Sequence, residues 1–280
     1  MFNIKNGFQL SDGSKIPRLG LGFWRMSPEE TPAALTAALE AGYRLFDTAS
    51  YYQNEAELGQ VLSQSGFPRE ELYITTKVWN DEQGYESTLA ACRRSLGLLK
   101  LEYLDLYLLH WPVAGRTEDT WRALEKLRAD GLVRSLGVCN FDVPKLEKLL
   151  SKASIRPAVN QVEIHPLKTS EELRQWCIKE DIQVEAFAPL ARGKVFEAPV
   201  IKKLAARYNR TPAQIVLRWE VQNGLVAIPK SAHPVRIREN ADIDGFSLNE
   251  QELNAIAALN EDKSIISAAY NFDEDGYVIA

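Results

Sequence analysis

The sequence contains few cysteines, three among 280 residues. Cys92, Cys139 and Cys177 are odd in number and widely separated, which argues against a disulfide framework and against a CxxC metal site. Because unpaired cysteines are typical of proteins in a reducing compartment, we expect the protein to be cytoplasmic.

Long apolar stretches and basic runs are also absent. No window approaches the roughly 18 uninterrupted apolar residues of a membrane-spanning helix, and the N-terminal segment MFNIKNGFQL has no basic stretch followed by an apolar core. The 33 Lys and Arg residues nearly balance the 38 Asp and Glu residues, without a basic run long enough to follow a phosphate backbone. These absences argue against a membrane protein, a secreted protein and a nucleic-acid partner.

The composition that remains is that of a globular protein, with 45% hydrophobic and 25% charged residues. A chain of 280 residues is longer than most single domains, but α/β barrels of about 250 residues are a known exception. No repeat, low-complexity stretch or Pro/Ser-rich linker divides the chain. We therefore predict one domain over residues 1–280.

Short apolar segments alternate with longer segments of helical spacing, as expected for parallel strands covered by helices. A hairpin is predicted first, turning at Asp12-Gly13. Eight strands then follow, at residues 18–22, 44–47, 72–77, 104–110, 135–138, 159–163, 183–187 and 225–228. This order predicts an α/β fold, a (β/α)8 TIM barrel with an N-terminal β-hairpin, whose site lies at the C-terminal ends of the strands.

Helix boundary signals lie between the predicted strands. Residues suited to begin a helix, by side-chain capping or by a proline in the first turn, are Ser27, Asp142, Ser170 and Thr211. Glycines placed where a helix would end in a left-handed residue are Gly42, Gly131 and Gly224.

Four polar residues stand at or near the ends of apolar strands. Asp47, Lys77 and His110 each end a predicted strand, and Tyr52 follows Asp47 by five residues. Singly, each has an ordinary explanation, because Asp is common in turns and caps, Lys is usually solvated, and a His in an apolar strand usually packs in the core. Together they predict one polar cluster at the barrel rim, although spacing alone does not decide between Tyr51 and Tyr52.

Such a cluster has a definite chemical use. A phenol titrates near pH ~10 and is a weak acid at neutrality unless a nearby cation favours the phenolate. Lys77 could supply that charge, Asp47 could hold Lys77 in place, and His110 could hydrogen-bond a carbonyl oxygen. The arrangement suits reduction of a carbonyl group, with a proton delivered to oxygen as hydride reaches carbon.

At these residues the sequence resembles the aldo-keto reductase family. The stretch from Asp47 to Glu55, DTASYYQNE, resembles the family's DTAxxYxNE motif, which selects Tyr52 as the catalytic phenol. LDLYLLHWP around His110 resembles DLYLxHWP, and IPKS at 228–231 resembles the family's phosphate-binding segment. The likeness extends from the hairpin to about Asn260 and implies a tetrad of Asp47, Tyr52, Lys77 and His110.

The resemblance also implies how the nicotinamide would be held. GVCNF at 137–141 resembles the family's GVSNF, so Cys139, Asn140 and Gln161 would contact the carboxamide. Cys139 replaces a serine, and a thiol is a weaker hydrogen-bond donor than a hydroxyl. Phe187, where the family often has tyrosine, would stack on the nicotinamide ring.

The rest of the cofactor site follows from the IPKS segment. Lys230, Ser231 and Arg236 match residues that surround the adenosine 2′-phosphate in the family, which favours NADPH (with NADP+ as its oxidised form) over NADH. Glu239 and Asn240 would contact adenine. Without that segment, 236–240 would be explained as a solvated surface helix. Gly20-Leu21-Gly22 does not begin a GxGxxG fingerprint, because position 25 is Arg.

Three tryptophans follow predicted strand ends and would line an apolar substrate pocket, namely Trp24, Trp79 and Trp111. Residues 260–280 would form a C-terminal loop over that pocket, including Tyr270, Phe272 and Tyr277. This short acidic tail is most similar to bacterial members such as the diketogluconate reductases. The family resemblance implies a small-molecule carbonyl substrate and a monomer.

Two other functions remain open at this point. The family includes nucleotide-binding barrels that sense NADPH as subunits of channels, although an intact tetrad argues for an enzyme. A metal-dependent barrel hydrolase would need several converging ligands, and the chain has only three histidines, His110, His165 and His233. We therefore expect no metal.

Overall fold

Eight parallel strands form the centre of the molecule. The computed structural model describes residues 6–265. The strands are β3 (Gly20–Gly22), β4 (Leu45–Asp47), β5 (Tyr73–Val78), β6 (Leu104–Leu109), β7 (Val133–Cys139), β8 (Val159–Glu163), β9 (Gln183–Phe187) and β10 (Val226–Ile228). They pair in chain order and all in parallel. Each begins and ends within two residues of its predicted position.

The first and last strands meet and close the sheet into a barrel. Leu19 forms a parallel bridge with Ala227, and the amide of Gly22 donates to the carbonyl of Pro229 at 3.1 Å. Gly20 allows the neighbouring strand to approach, since a Cβ there would lie 2.4 Å from Cγ of Leu45. The glycines of this strand therefore serve barrel packing, and the predicted TIM-barrel fold is confirmed.

A β-hairpin precedes the barrel, as predicted. Its strands, β1 (Gly7–Gln9) and β2 (Lys15–Pro17), pair in antiparallel register, and Gly13 has a φ of +88° in the turn. Leu10 and Ile16 of the hairpin belong to the same buried cluster as the inward-facing Leu45, Leu106 and Val226. The hairpin therefore covers the N-terminal end of the barrel. The predicted site lies at the opposite end, where the strands end.

Ten helices surround the barrel in the described part of the chain. They are α1 (Thr31–Glu40), α2 (Glu55–Gln64), α3 (Tyr85–Leu99), α4 (Thr117–Ala129), α5 (Val143–Leu150), α6 (Glu171–Lys179), α7 (Pro199–Tyr208), α8 (Pro212–Gln222), α9 (Pro234–Ala241) and α10 (Glu250–Ala257). The apolar faces of most of these helices pack with the outer faces of the strands in one large buried core. The buried side chains of α7 and α10 and part of α8 form a separate cluster, which includes Trp219. Within residues 6–265, no helix has the length and apolar character needed to cross a bilayer.

The predicted helix starts are confirmed at Asp142 and Thr211, whose side chains accept from the backbone amides of Lys145 and Gln214. Two others were wrong in detail. Ser27 does accept from the amide of Glu30 at 3.3 Å, but only a turn forms there and the helix begins at Thr31. Ser170 precedes a helix without capping it through its side chain, because its φ of 46° is left-handed.

The predicted helix ends are confirmed at the three glycines. Gly42, Gly131 and Gly224 follow α1, α4 and α8 with φ values of 94°, 76° and 77°. This left-handed conformation is one that glycine adopts without steric cost.

Candidate active site

Lys77 is the centre of the polar cluster at the C-terminal end of the barrel. Its side chain is fully buried on β5, and its Nζ donates to Oδ1 of Asp47 at 2.6 Å and to the carbonyl of Thr48 at 2.9 Å. The same nitrogen lies 3.5 Å from the hydroxyl of Tyr52. Because β4 and β5 are adjacent parallel strands, their ends bring the carboxylate and the ammonium together.

Tyr52, and not Tyr51, is the phenol that faces Lys77. Both residues belong to a short helical turn, Ser50–Tyr52, after β4. Tyr51 points outward, is 49% exposed, and stacks on Trp79 with ring centroids 3.8 Å apart. The geometry thus resolves the choice that spacing left open.

The electrostatics of this group differ from the simple expectation. Burial raises the pKa of the Tyr52 phenol above its usual value, and the opposing effect of the Lys77 charge is smaller. Burial lowers the pKa of Lys77, but the combined effects of Asp47, Tyr52 and Cys139 outweigh burial, and the net pKa is raised. Lys77 therefore lowers the pKa of Tyr52, but burial outweighs this effect, and at neutral pH both groups remain protonated.

His110 also contacts Tyr52, through its ring. Its ring meets the Tyr52 ring edge to face, with centroids 5.7 Å apart, and meets the Trp79 ring in the same way at 4.9 Å. Burial and the Lys77 charge hold the pKa of His110 well below its usual value, so the imidazole is neutral. Its Nδ1 is buried and has no hydrogen-bond partner within residues 6–265.

A cleft of about 400 Å³ opens above these residues. It brings together ten of the residues singled out from the sequence, which are Trp24, Asp47, Tyr52, His110, Trp111, Cys139, Asn140, Gln161, Phe187 and Lys230. Arg25 and Arg192, which the sequence did not suggest, also line the cleft. Lys77 lies beneath it, in contact with Tyr52.

The amides expected to hold a nicotinamide are fixed by bonds within the protein. Asn140 has a φ of 66°, and its Nδ2 donates to the carbonyl of His110 at 3.0 Å and to Sγ of Cys139 at 3.1 Å. Nε2 of Gln161 donates to Oδ2 of Asp47 at 2.8 Å, while its Oε1 lies 3.7 Å from Sγ of Cys139. The substitution of serine by Cys139 therefore places a buried sulfur between two amides.

Glu185 is a site residue that the sequence reasoning missed. It lies fully buried on β9, beside Gln161 in the sheet register, and accepts from Nε2 of Gln161 at 2.7 Å. The sequence does contain a sign of its importance, because Glu185 is the one charged residue within the apolar strand 183–187. Burying a charged side chain inside a barrel is costly and indicates a specific role.

Among the residues expected around a 2′-phosphate, Lys230 lines the cleft, while Ser231 and Arg236 follow it in the chain. Ser231 Oγ accepts from the amide of His233 at 3.1 Å, directly before α9, which includes Arg236, Glu239 and Asn240. Lys230 and Arg236 are exposed, and neither has an ion-pair partner in the part of the chain that the structure describes. Two exposed cations without carboxylate partners in this part of the chain fit a phosphate ligand.

The three tryptophans are not equivalent. Trp24 and Trp111 line the cleft, and the guanidinium groups of Arg25 and Arg192 lie 4.5 and 5.3 Å from the Trp24 ring centre. Trp79 is not among the cleft residues and instead contacts His110 and Tyr51. Its expected substrate contact is therefore less direct than that of the other two.

Asn54 and Glu55 of the DTASYYQNE stretch hydrogen-bond to the segments that carry site residues. Asn54 Nδ2 donates to the carbonyls of Phe23 and Met26 at 3.0 and 3.2 Å, which holds the loop after β3. Glu55 accepts from Thr76 Oγ1 at 2.6 Å, beside Lys77. These residues place the loop and strand that present Trp24 and Lys77.

Within residues 6–265, no three His, Cys, Asp or Glu side chains converge as metal ligands. His165 is buried and lies 3.3 Å from Oε1 of Glu163. The amide of Ile265 donates to the same carboxylate oxygen at 2.8 Å, so the described end of the chain is held at β8. Residues 266–280, with Tyr270, Phe272 and Tyr277, lie outside the described residues, and the loop at 260–280 stays a prediction.

Comparison with known proteins identifies a single family. The model of the aldo/keto reductase family matches residues 17–261. The chain is 47% identical to the glyoxal reductase of Bacillus subtilis over 264 residues, 94% of this chain and 96% of that protein. It is 46% identical to the methylglyoxal reductase DkgA of Yersinia pestis over 256 residues, 90% of this chain and 92% of that protein.

Solved structures agree with the sequence comparison. A crystal structure of the Bombyx mori aldo-keto reductase in complex with NADP superposes with a TM-score of 0.90, at 36% identity. The match covers 95% of this chain and 96% of the other.

Proposed function

The chain belongs to the aldo/keto reductase family, and on that basis we propose that it reduces aldehydes and ketones to alcohols with NADPH, Tyr52 donating the proton. The observation that supports this most strongly is the position of the Lys77 ammonium, 2.6 Å from Asp47 and 3.5 Å from Tyr52 at the base of an open cleft. A proton donor and a charge that stabilises its conjugate base thus lie at one place.

Tyr52 is a suitable proton donor because it carries its proton at neutral pH and lies beside Lys77. The phenol stays protonated at neutral pH, since burial raises its pKa. When it gives up the proton, the phenolate lies beside Lys77, and opposite charges about 4 Å apart attract by about 4 kcal/mol at an effective dielectric constant of about 20. Asp47 keeps Lys77 charged and immobile, so this attraction is available without rearrangement.

His110 acts on the substrate as a neutral group. Since its pKa is lowered by burial and by Lys77, the imidazole can donate one N–H to a carbonyl oxygen without competing as an acid. The rings of Tyr52 and His110 are in edge-to-face contact, and both residues line the cleft. A carbonyl oxygen between them would receive two hydrogen bonds, which orients the carbonyl carbon.

The remaining cleft residues fit NADPH. When bound, this cofactor supplies the hydride that reaches the carbonyl carbon. Phe187 offers an aromatic face, Asn140 and Gln161 offer amides, and Lys230 offers a cation. Arg236 on α9 offers a second cation, and neither has a carboxylate partner among residues 6–265. Ser231, Glu239 and Asn240 complete the phosphate and adenine contacts that the family resemblance implies.

The substrate class follows from the same cleft. Trp24 and Trp111 give it apolar walls, and relatives at about the same identity are named glyoxal reductase and methylglyoxal reductase. We therefore take small 2-oxoaldehydes as the first substrates to test. Trp79 supports this pocket through its contact with His110.

The direct test is NADPH oxidation with a panel of aldehydes, keto-sugars and ketoesters that includes methylglyoxal. We expect turnover with methylglyoxal and weaker activity when NADH replaces NADPH. Tight NADPH binding without turnover of any carbonyl would contradict the proposal and would favour a nucleotide-sensing subunit.

A further inference from the structure

Glu185 forms a polar chain with the proposed catalytic residues. Nε2 of Gln161 donates both to Oε2 of Glu185 at 2.7 Å and to Oδ2 of Asp47 at 2.8 Å. The other oxygen of Asp47 bonds to Lys77 at 2.6 Å, and Lys77 lies against Tyr52. A single amide therefore joins Glu185 to the Asp47–Lys77 pair.

If Glu185 is ionised, the negative and positive charges of these hydrogen-bonded side chains do not balance. Lys77 forms an ion pair with Asp47, and Glu185 has no ion-pair partner within residues 6–265. Its Oε1 is buried without a hydrogen-bond partner in the same part of the chain. An ionised carboxylate would leave that oxygen charged and unsolvated, which costs far more than a neutral carboxyl group in the same place.

We propose that Glu185 is a positioning residue for the proposed reduction: its neutral carboxyl group holds the amide of Gln161, and its ionisation slows proton donation by Tyr52. This inference depends on the proposed function. The proton of Glu185 is not transferred to substrate. It decides whether the group around Lys77 is neutral overall or carries one excess negative charge.

The physical reason is the charge that develops on Tyr52. Proton donation turns the phenol into a phenolate, which Lys77 stabilises. A second carboxylate beside Asp47 would partly cancel the Lys77 charge and repel the phenolate. A rise of one unit in the phenol pKa corresponds to about a tenfold change in its acid dissociation constant.

Among the groups with shifted pKa values around the site, Glu185 is the one that changes charge near neutral pH. Burial and the charge of Asp47 raise the pKa of Glu185 to about 8. The pKa values of Tyr52, Tyr73, Lys77 and Cys139, which face the same interior, are raised above their usual values. The neutral His110 has a pKa well below its usual value.

The first test is the single-turnover rate of NADPH oxidation with methylglyoxal, measured over two pH units on either side of that value. Single turnover is needed because product release often limits the steady-state rate. We expect the wild-type rate to fall by about tenfold through a midpoint near pH 8. Glu185→Gln should retain the rate measured below the midpoint and lose this fall, because an amide accepts from Gln161 but does not ionise.

Glu220→Gln is the matched control. Glu220 is another fully buried carboxyl group, on α8 and outside the cleft, and its pKa is also raised by burial. Its variant should show the wild-type fall. A fall that persists unchanged in Glu185→Gln, or a wild-type rate that is constant over the range, would overturn the inference.

Glu185→Leu tests the hold on Gln161. Leucine offers no acceptor, so the amide of Gln161 is released on one side, and we expect NADPH to bind about tenfold more weakly, as for loss of one good hydrogen bond. Glu185→Gln should bind NADPH as the wild type does. Equal NADPH affinity in wild type and Glu185→Leu would contradict the positioning role.

A measurement without substrate separates this inference from the proposed function. The pKa of Glu185 is about 8 in the folded protein, against about 4.5 in the unfolded chain. Between these values only the folded state keeps the proton, so wild-type stability should fall relative to Glu185→Gln as the pH rises, and the difference should level off above pH 8. Urea midpoints of the two proteins measure this difference.

A difference in urea midpoint that does not change with pH would show that Glu185 is not a buried neutral carboxyl group, which overturns the inference. A wild type that shows this pH dependence but turns over no carbonyl would contradict the proposed function instead.

Discussion

The ammonium of Lys77 lies 3.5 Å from the hydroxyl of Tyr52 at the C-terminal end of the barrel. This contact results from the order of the elements. Asp47 ends β4, Lys77 lies near the end of the adjacent strand β5, and Tyr52 lies in the short helical turn that follows β4.

Replacing Lys77 by methionine should lower carbonyl turnover by about a hundredfold or more, because the phenolate of Tyr52 loses its stabilising charge. NADPH affinity should stay within a few fold, since Lys77 lies beneath the cleft and not in it. Turnover of methylglyoxal and fluorescence titration with NADPH measure the two effects.

Lys202→Met is the control for charge removal, because Lys202 is on the surface of α7 and pairs with Glu197. It should behave as the wild type. A Lys77→Met protein that is folded and still turns over methylglyoxal normally would show that Lys77 has no part in proton donation.

Replacing Arg236 by alanine should weaken NADPH binding by about tenfold or more, because a charge-assisted hydrogen bond to phosphate is worth about 2 kcal/mol. NADH lacks the 2′-phosphate, so its binding should change little. Dissociation constants for both nucleotides test this. Arg238→Ala is the control, since Arg238 lies on the same helix but pairs with Glu40, and equal loss for both nucleotides in Arg236→Ala would remove the 2′-phosphate role.

Replacing Cys139 by serine should strengthen NADPH binding by a few fold. The Cys139 thiol lies between Asn140 and Gln161, and a hydroxyl is a better donor than a thiol to the carboxamide expected there. Cys139→Ala has neither group and should not gain affinity. A serine variant that binds no better than the alanine variant would show that position 139 does not contact the cofactor.

Much of the fold was predictable because parallel barrel strands alternate with helices in a regular order. All eight strands and the hairpin turn at Asp12-Gly13 were located from apolar runs and turn residues, and the family resemblance is confirmed. Helix starts were less certain. At Ser170 the backbone is left-handed, and a capping residue type does not reveal backbone conformation.

The sequence was enough to predict which residues form the site, but not their pKa values. Asp47, Lys77 and His110 were recognisable because polar residues at the ends of buried strands are unusual. The net rise in the pKa of Tyr52 was not predictable, because burial competes with Lys77 and its extent depends on packing across several strands. Glu185 was missed because its partner Gln161 lies on another strand, and only the register places them side by side.

The most direct test of the whole account is carbonyl turnover by Tyr52→Phe, with Tyr51→Phe as its matched control. Tyr51 is on the same turn but stacks on Trp79 away from Lys77. Tyr52→Phe should lose about a hundredfold or more of the methylglyoxal reduction rate while NADPH affinity stays within a few fold, and Tyr51→Phe should keep nearly full activity. Near-normal turnover by a folded Tyr52→Phe protein would contradict the account, since the proton would then come from another group.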